Sequence, residues 1–316
     1  MTMHWDGVLP AITTPFTADG DVDHAFLARH ARWMIDAGCT GVVALGSLGE
    51  SATLSVDEKR AVLRTLVDAL AGRASVVAGI AALSTDEAVQ LAREAVQVGC
   101  AGLMVLPPYV YSTDWREMGA HASAVIRATR APCMLYNNPI AYRTDFRPEH
   151  VAELAHAHDN LAAIKESSAD VRRIAAIRHR LGDRLRILVG VDDVLVEGVQ
   201  AGATGWVAGL VNALPHESVA LLRLALAGRD NPSARAEADA LYRWFLPLLE
   251  LDTVPKFVQL IKLVQARLGQ GDERVRAPRL VLEGAERAAA LELIDNALAH
   301  RPRTPATMPR QDASNA

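Results

Sequence analysis

Residues 75–107 read SVVAGIAALSTDEAVQLAREAVQVGCAGLMVLP, which is a short apolar run, a helical pattern and a second apolar run. In the middle part, apolar residues recur three and four positions apart, and this spacing predicts an amphipathic helix. Ser84, followed by two acids, is a plausible N-cap, and Gly99 is a plausible helix end. The stretch therefore predicts a strand, a helix and a second strand in succession.

The same alternation runs through most of the chain. Helical patterns separate eight short apolar segments in units of roughly 28 residues, as in a (β/α)8 barrel. The predicted strands are 7–15, 41–46, 75–80, 102–107, 132–137, 161–166, 186–190 and 205–210. An open doubly wound sheet is the alternative, but GVLPAITTPFTADG (7–20) lacks the Gly-x-Gly-x-x-Gly turn that would favour it. We therefore predict an α/β protein with a (β/α)8 TIM barrel.

The barrel units end well before the chain does. We predict a catalytic barrel over 1–228, a C-terminal helical extension over 229–300 and a disordered tail over 301–316. The extension contains three helical patterns, at 230–249, 254–268 and 283–300. These helices could cover the barrel mouth or build a subunit contact, and the pattern does not decide between the two.

Composition and charge exclude several classes of protein. The 316 residues carry a net charge of −4 with both signs interspersed, so we expect no nucleic-acid partner. No long apolar run or leader-like start occurs, which predicts a cytoplasmic protein without a membrane partner. The three cysteines are widely spaced among apolar residues, as expected of reduced core thiols and not of a zinc site.

One lysine stands at the end of a predicted buried strand, in LAAIKE (161–166). Only four of the 33 basic residues are lysines, so arginine is the usual positive charge of this chain. Burying an unpaired ammonium costs several kcal/mol or lowers its pKa, which makes Lys165 a candidate nucleophilic amine. The alternative is a lysine that leaves the strand end to pair with Glu166. Glu166 itself should point to the opposite face of the strand, and we assign it no catalytic role.

Two other features fall at the carboxyl ends of predicted strands, where barrel enzymes place their chemistry. GSLGES (46–51) can present backbone N–H groups and the Ser47 hydroxyl to a carboxylate, although it could also be a simple turn. Tyr136 can donate or accept a proton, although a lone tyrosine is more often a core residue. Together with Lys165, these groups are what a Schiff-base enzyme acting on a 2-oxo acid requires.

The motifs GSLGES, LYNNP, IKES and VGVDD (189–193) resemble, in order and spacing, those of the dihydrodipicolinate synthase and N-acetylneuraminate lyase family of class I aldolase-type barrels. The resemblance extends from about residue 5 to residue 300. It implies that Lys165 is the Schiff-base lysine, that Tyr136 is the proton shuttle, and that Ser47 with its neighbouring backbone is the carboxylate site and relay.

The resemblance also implies the surroundings of these residues. Gly190 would lie beneath the bound substrate. Tyr109 would reach across a dimer contact and complete the proton relay of the partner subunit, and Tyr111 is the alternative residue for that role. The family is commonly tetrameric, as a dimer of dimers, and needs no metal or organic cofactor beyond the covalent Schiff base. We therefore expect a homotetramer whose partner is a small 2-oxo acid or its cyclic imine.

Two departures from the synthase pattern bear on the reaction. Leu48 stands where the synthase has a second threonine beside Ser47, and Arg143 lies in a longer loop than the synthase arginine, so Tyr142 could fill its space. The predicted substrate-binding residues are Leu48, Gly49, Gly190, Tyr142 and Arg143. GSLGES, VLPPYVYSTDW and NNPIAYRTDF look most like the branch of 1-pyrroline-4-hydroxy-2-carboxylate deaminase, which we favour. The alternatives are a pyruvate-dependent aldolase or synthase (dihydrodipicolinate synthase-like, or a lyase of N-acetylneuraminate or 2-keto-3-deoxy sugar acids) and a non-catalytic 2-oxo acid binding protein.

Overall fold

The computed structural model describes residues 3–108 and 114–302 of the chain. Its centre is one sheet of eight parallel strands in the order β1-β8-β7-β6-β5-β4-β3-β2. The strands are β1 Gly7–Pro10, β2 Gly41–Ala44, β3 Ser75–Ile80, β4 Gly102–Val105, β5 Cys133–Asn137, β6 Leu161–Glu166, β7 Arg186–Val189 and β8 Gly205–Ala208. The predicted (β/α)8 barrel is therefore confirmed.

The first strand closes the barrel by changing its partner. Its ladder runs along β8 as far as Pro10, and the next amide, that of Ala11, still donates to Ala208 at 2.8 Å. The amide of Ile12 then donates to Val43 of β2 at 3.0 Å. Because the chain changes partner here, β1 is shorter than the predicted 7–15. Most other strands also end a residue or two early, and in β2 the cause is the left-handed backbone of Leu45, with φ of 61°.

Twelve α-helices connect and cover the strands of the described chain. They are α1 His24–Asp36, α2 Val56–Leu70, α3 Thr85–Val98, α4 Trp115–Arg127, α5 Pro139–Tyr142, α6 Pro148–Ala157, α7 Val171–Leu181, α8 Leu195–Gln200, α9 Pro215–Ala227, α10 Pro232–Leu249, α11 Phe257–Arg267 and α12 Gly284–Ala299. Ser84 caps α3 as predicted, by accepting the amide of Glu87, and Gly99 ends it in the left-handed conformation. The four-residue helix α5 has too few residues to show a period and was not predicted.

The barrel interior is filled by apolar side chains that point inward from the strands. These side chains include Leu9, Val43, Val77, Met104, Met134, Ala163, Leu188 and Val207. A larger apolar cluster lies between the strands and the surrounding helices. Since both faces of each strand are buried, the strands appear in the sequence as continuous apolar runs without polar alternation. The three cysteines are buried and free, and burial raises the pKa of each thiol to about 12.

The last three helices extend the barrel as predicted, within a few residues at each end. Helix α11 places Val258 and Ile261 in the same apolar cluster as the inward-pointing strand residues, so this helix covers the barrel mouth, the end at which the strands terminate. Helix α12 packs against α10 and α11. The division of the chain at 228/229 remains a prediction, and all but the first two residues of the predicted tail lie outside the described residues. No described helix has the length and apolar content needed to cross a membrane.

Candidate active site

Lys165 lies near the end of β6 with 7 % of its surface exposed, and its strand register places it beside Tyr136 of β5 and Leu188 of β7. Its ammonium nitrogen is 4.4 Å from the centroid of the Tyr136 ring. Burial lowers the pKa of Lys165, and the nearby charges of Asp252, Tyr142 and Asp192 oppose this shift. A depressed pKa increases the fraction of neutral, nucleophilic amine.

Glu166 does not pair with Lys165. Its carboxylate accepts hydrogen bonds from the side-chain amide of Asn137 at 3.1 and 3.3 Å and from the backbone amide of Ser168 at 2.8 Å. These donors lie on the other face of β6, as the alternation of side chains along a strand requires. The alternative explanation of Lys165 as the partner of Glu166 is therefore wrong.

The Tyr136 phenol is buried beside the amine. Its oxygen accepts a hydrogen bond from the side-chain amide of Asn138 at 3.0 Å. Burial raises the pKa of Tyr136, and the neighbouring Asn138 and Ser167 side chains oppose that shift. The phenol is therefore protonated at neutral pH and can donate a proton to a developing alkoxide.

Tyr142 enters the site from the short helix α5. Its ring meets that of Tyr136 edge to face, with centroids 5.7 Å apart, and its hydroxyl forms a short hydrogen bond with the Ser47 hydroxyl. Arg143 follows as the C-cap of α5 in a left-handed conformation and is exposed. The structure thus brings Tyr142 to Ser47, while the Arg143 side chain has no hydrogen bond or ion pair among the described residues.

The turn Gly46–Ser51 lies at the end of β2. Leu48 is buried in the apolar cluster of the barrel interior, and the carbonyl of Gly49 accepts a hydrogen bond from the Thr14 hydroxyl at 2.7 Å. A Cβ atom at Gly49 would be 3.1 Å from the Ile12 carbonyl oxygen, so a larger residue would press on that backbone. Glu50 completes the turn with left-handed backbone, at φ of 53°.

A buried ion pair fixes this turn to the C-terminal extension. The ammonium of Lys262, which is 3 % exposed, donates to the Glu50 carboxylate at 2.6 Å. It also donates to the backbone carbonyls of Thr14 at 2.8 Å and Arg274 at 2.6 Å, and the amide of Arg276 donates to the other Glu50 oxygen at 3.0 Å. All three hydrogens of the ammonium therefore have acceptors, as a buried charge requires.

Gly190 follows β7 directly behind the lysine. A Cβ atom there would lie 2.6 Å from Cε of Lys165 and 2.0 Å from Oγ of Ser167. Only glycine therefore fits beside the lysine side chain in this conformation. Gly190 is thus in contact with Lys165, at the position that the resemblance assigns to the floor of the substrate site.

Three polar residues near Lys165 were missed as site residues. Asp192 belongs to the quoted motif VGVDD and is buried, and burial raises its pKa to about 6 although three N–H groups and Lys165 oppose the shift. Ser167 is the last residue of the quoted motif IKES. Asp252 comes from the extension, and no local sequence pattern marks it. Tyr109 and Tyr111 lie outside the described residues.

The described residues contain no group of three or more His, Cys, Asp and Glu side chains that could hold a metal ion. The donors that surround Lys165 are instead a phenol, hydroxyls and two separate carboxyls. This set is suited to moving protons around a covalent amine adduct.

Comparison with known proteins agrees with this geometry. The sequence profile of the Dihydrodipicolinate synthetase family matches residues 4–297. The chain is 36 % identical over 297 residues to a 4-hydroxy-tetrahydrodipicolinate synthase of Sorangium cellulosum, a match that covers 93 % of this chain and 97 % of the relative. It is 33 % identical over 295 residues to the enzyme of that name from Agrobacterium fabrum, with the same two coverages.

Solved structures give the same result. Dihydrodipicolinate synthase from Aquifex aeolicus superposes with a TM-score of 0.87 at 27 % identity, over 92 % of this chain and 98 % of that one. The 4-hydroxy-tetrahydrodipicolinate synthase of Methylacidiphilum fumariolicum superposes with a TM-score of 0.86 at 28 % identity, over 94 % and 98 %. The chain therefore belongs to the dihydrodipicolinate synthetase family and is an enzyme of its class I, lysine Schiff-base type.

Proposed function

We propose that Lys165 forms a Schiff base with C2 of a short 2-oxo acid or of its cyclic imine. The observation that carries this proposal is a buried amine, free of any carboxylate salt bridge among the described residues, above the ring of a protonated tyrosine. The neutral amine adds to C2, and the iminium that follows loss of water withdraws electrons from C3. Tyr136 moves protons at the adduct, and Ser47 with the backbone of the Gly46–Ser51 turn binds the substrate carboxylate.

The relatives bear on which reaction follows. The relatives reported above are named synthases, which supports a pyruvate-dependent synthase or aldolase better than the deaminase that the sequence motifs favour. We therefore take a reaction that joins pyruvate to an aldehyde, or cleaves such a product, as the first candidate.

Deamination of 1-pyrroline-4-hydroxy-2-carboxylate is the second candidate, because two features of the site favour it. Leu48 gives the mouth an apolar wall, and Tyr142 occupies the space beside Ser47 that an aldehyde acceptor would need. In this reaction Lys165 adds to the imine carbon, the ring opens, and the C4 hydroxyl leaves as water. Hydrolysis then releases ammonia and 2-oxoglutarate semialdehyde.

Product analysis tests both candidates. Borohydride reduction in the presence of pyruvate should leave an adduct mass on Lys165, and its absence would favour a protein that only binds 2-oxo acids. The first candidate requires consumption of pyruvate with an aldehyde such as aspartate semialdehyde, or release of pyruvate from a sugar acid. Ammonia release from the pyrroline without either of these activities would establish the second candidate.

Replacement Tyr136→Phe should slow turnover by roughly 100-fold, because it removes the proton donor beside the amine and keeps the ring. The pyruvate adduct on Lys165 should still form, although more slowly. Steady-state rates and borohydride trapping measure the two effects. A near-normal rate would show that another tyrosine transfers the proton, and Tyr109 and Tyr111 are the candidates.

The contact between Tyr142 and Ser47 should appear as an energetic coupling in catalysis. We expect Tyr142→Phe to lower kcat/KM by about tenfold, which is the usual worth of one hydrogen bond. Ser47→Ala should lower it by more, because it also removes the hydroxyl that we propose to bind the substrate carboxylate. The double variant should lose little more than Ser47→Ala alone, because both replacements remove the bond between the two hydroxyls. Independent, multiplying losses in this cycle would show that the two hydroxyls act separately.

We also propose that the chain assembles as a homotetramer, a dimer of dimers, in which Tyr109 completes the site of the partner subunit. The commonly tetrameric state of the family supports this assembly. Light scattering in solution measures the number of chains directly.

A further inference from the structure

The side chain of Asn138 forms two hydrogen bonds, one at each end of its amide. Its Oδ1 accepts the backbone amide of Ala141 at 2.9 Å and thereby caps α5. Its Nδ2 donates to the phenolic oxygen of Tyr136 at 3.0 Å. Because a backbone N–H can only donate, Ala141 determines which end of the amide is the oxygen, and the NH2 group must therefore face Tyr136. The phenolic oxygen is the acceptor in this contact.

A second Asn-Pro cap in the chain has no such contact. Asn231 precedes Pro232 at the start of α10, as Asn138 precedes Pro139 at the start of α5. The Asn231 oxygen accepts two backbone amides of α10, at 2.9 and 3.2 Å, and its nitrogen donates to no described residue. An aspartate would cap a helix equally well, so capping needs no amide nitrogen. The nitrogen of Asn138 therefore serves Tyr136 and not the helix.

The contact determines where the Tyr136 proton can go. A phenol has one hydrogen to donate, and the bond from Asn138 occupies an acceptor position of its oxygen. The hydrogen is thus not used on Asn138 and stays available for an adduct on Lys165, whose nitrogen is 4.4 Å from the centroid of the Tyr136 ring. When the proton leaves, the bond from Asn138 has a charged acceptor, and such bonds are roughly twice as strong as neutral ones.

Other groups also act on the phenol, and Asn138 differs from them in its fixed direction. Burial raises the pKa of Tyr136, and the charge of Asp252 acts in the same direction. The side chains of Asn138, Ser167 and Tyr142 oppose this shift. Ser167 and Tyr142 carry hydroxyls, which can rotate and either donate or accept. The NH2 group of Asn138 can only donate, and the cap of α5 keeps it pointed at the phenol.

We propose that Asn138 is a positioning residue for proton transfer, because it keeps the Tyr136 hydrogen available to the Lys165 adduct and stabilises the tyrosinate that forms when the proton leaves. The role rests on the Schiff-base function proposed above. Asn138 acts through Tyr136 and exchanges no proton with the substrate itself.

The protons balance in this scheme. Attack of the neutral Lys165 amine on C2 gives an adduct with a negative oxygen and a positive nitrogen. The Tyr136 O–H bond breaks as its proton moves to the adduct oxygen, and the phenolic oxygen keeps the electron pair under the hydrogen bond from Asn138. The tyrosinate then takes one proton from the adduct nitrogen, which yields a neutral carbinolamine and restores the phenol.

Replacement Asn138→Asp separates this hydrogen bond from the cap. A carboxylate caps a helix as well as an amide does, so α5 should keep its place and Tyr142 its contact with Ser47. The carboxylate cannot donate, however, and should accept the Tyr136 proton in place of the adduct. Pyruvate is the probe, because exchange of its C3 hydrogens for deuterium requires the adduct and can be followed by NMR. We expect the exchange rate to fall by about 30-fold, while KM for pyruvate changes by less than about threefold.

The pH dependence of this variant distinguishes the role from a purely structural one. As the pH falls towards the pKa of the new carboxyl, the protonated group can donate to Tyr136 as the amide does. The ratio of variant to parent exchange rates should therefore rise by at least about fivefold between about pH 8 and about pH 5. Asn138→Ser keeps a cap but does not extend to the phenol, so it should lose about tenfold with a ratio that is independent of pH.

Asn231→Asp is the matched control, because it makes the same change at an exposed Asn-Pro cap. Its exchange rate should stay within about twofold of the parent at every pH. A ratio that does not change with pH in Asn138→Asp would show that Asn138 is merely structural and would overturn the proposal.

The remaining outcomes separate this role from the proposed function. If borohydride traps no pyruvate adduct on the parent protein, the Schiff-base function fails and the role of Asn138 fails with it. If the parent forms the adduct and Asn138→Asp exchanges within about threefold of it at neutral pH, only the role of Asn138 is wrong. Should Asn138→Asp be insoluble, Asn138→Ser decides, and an exchange rate within about threefold of the parent would again refute the role.

Discussion

Replacement Lys165→Arg is expected to abolish turnover, with a loss of at least about 10⁴-fold, equivalent to roughly 5.4 kcal/mol in the activation barrier. The guanidinium keeps the positive charge but is not a nucleophile at accessible pH. Because the chemistry proposed here begins with attack of a neutral amine on carbon, no other step can compensate for its loss. Steady-state rates on the substrate established by product analysis measure the effect, and borohydride trapping with pyruvate should give no adduct.

Lys256→Arg is the matched control for this variant. Lys256 is half exposed and pairs with Glu286 on the surface of the extension, so the same chemical change there should leave turnover within about twofold. Activity of Lys165→Arg within about tenfold of the parent would remove Lys165 from the mechanism. An adduct found on a different lysine would have the same consequence.

Replacement Lys262→Met is expected to lower the free energy of unfolding by about 3–5 kcal/mol, the usual cost of removing one partner of a buried ion pair. The Glu50 side chain is fully buried, so without the ammonium its charge would be left with the backbone amide of Arg276 and with Arg279, whose guanidinium is 4.0 Å away. The Thr14 and Arg274 carbonyls would lose their shared donor as well. Denaturant unfolding followed by circular dichroism measures the change.

Two further variants show whether burial causes this effect. Lys256→Met breaks the exposed pair with Glu286 and should change stability by less than about 1 kcal/mol. The double variant Glu50→Gln/Lys262→Met removes both charges and should recover a large part of the loss. A cost below about 1 kcal/mol for Lys262→Met alone would show that solvent or other residues compensate the Glu50 carboxylate.

The fold could be predicted because each strand and helix is marked by a pattern within its own stretch of sequence. Each strand is buried on both faces and so forms a continuous apolar run, while each helix shows its own spacing and often its own cap. Element ends were predicted less well, because they depend on tertiary events such as the change of partner after Pro10.

The site could be predicted where its residues fall at strand ends. Lys165, Tyr136 and Gly190 follow from the strand order, since parallel strands bring their carboxyl ends together. The contact of Tyr142 with Ser47 crosses 95 positions and depends on the unexpected helix α5. Asp252 was missed because its approach to Gly209 depends on how the extension folds back over the barrel, and no spacing in the sequence encodes that.

The ion pair between Glu50 and Lys262 has a consequence for biosynthesis. The two residues are 212 positions apart, so at typical elongation rates the ribosome adds the lysine roughly 10–40 s after the glutamate. Until then the nascent chain must keep Glu50 hydrated, because burying the carboxylate without its counter-ion would cost several kcal/mol. The loop that we propose to bind the substrate carboxylate can therefore reach its final shape only near the end of translation, so a prematurely terminated polypeptide would be inactive even though it contains every strand.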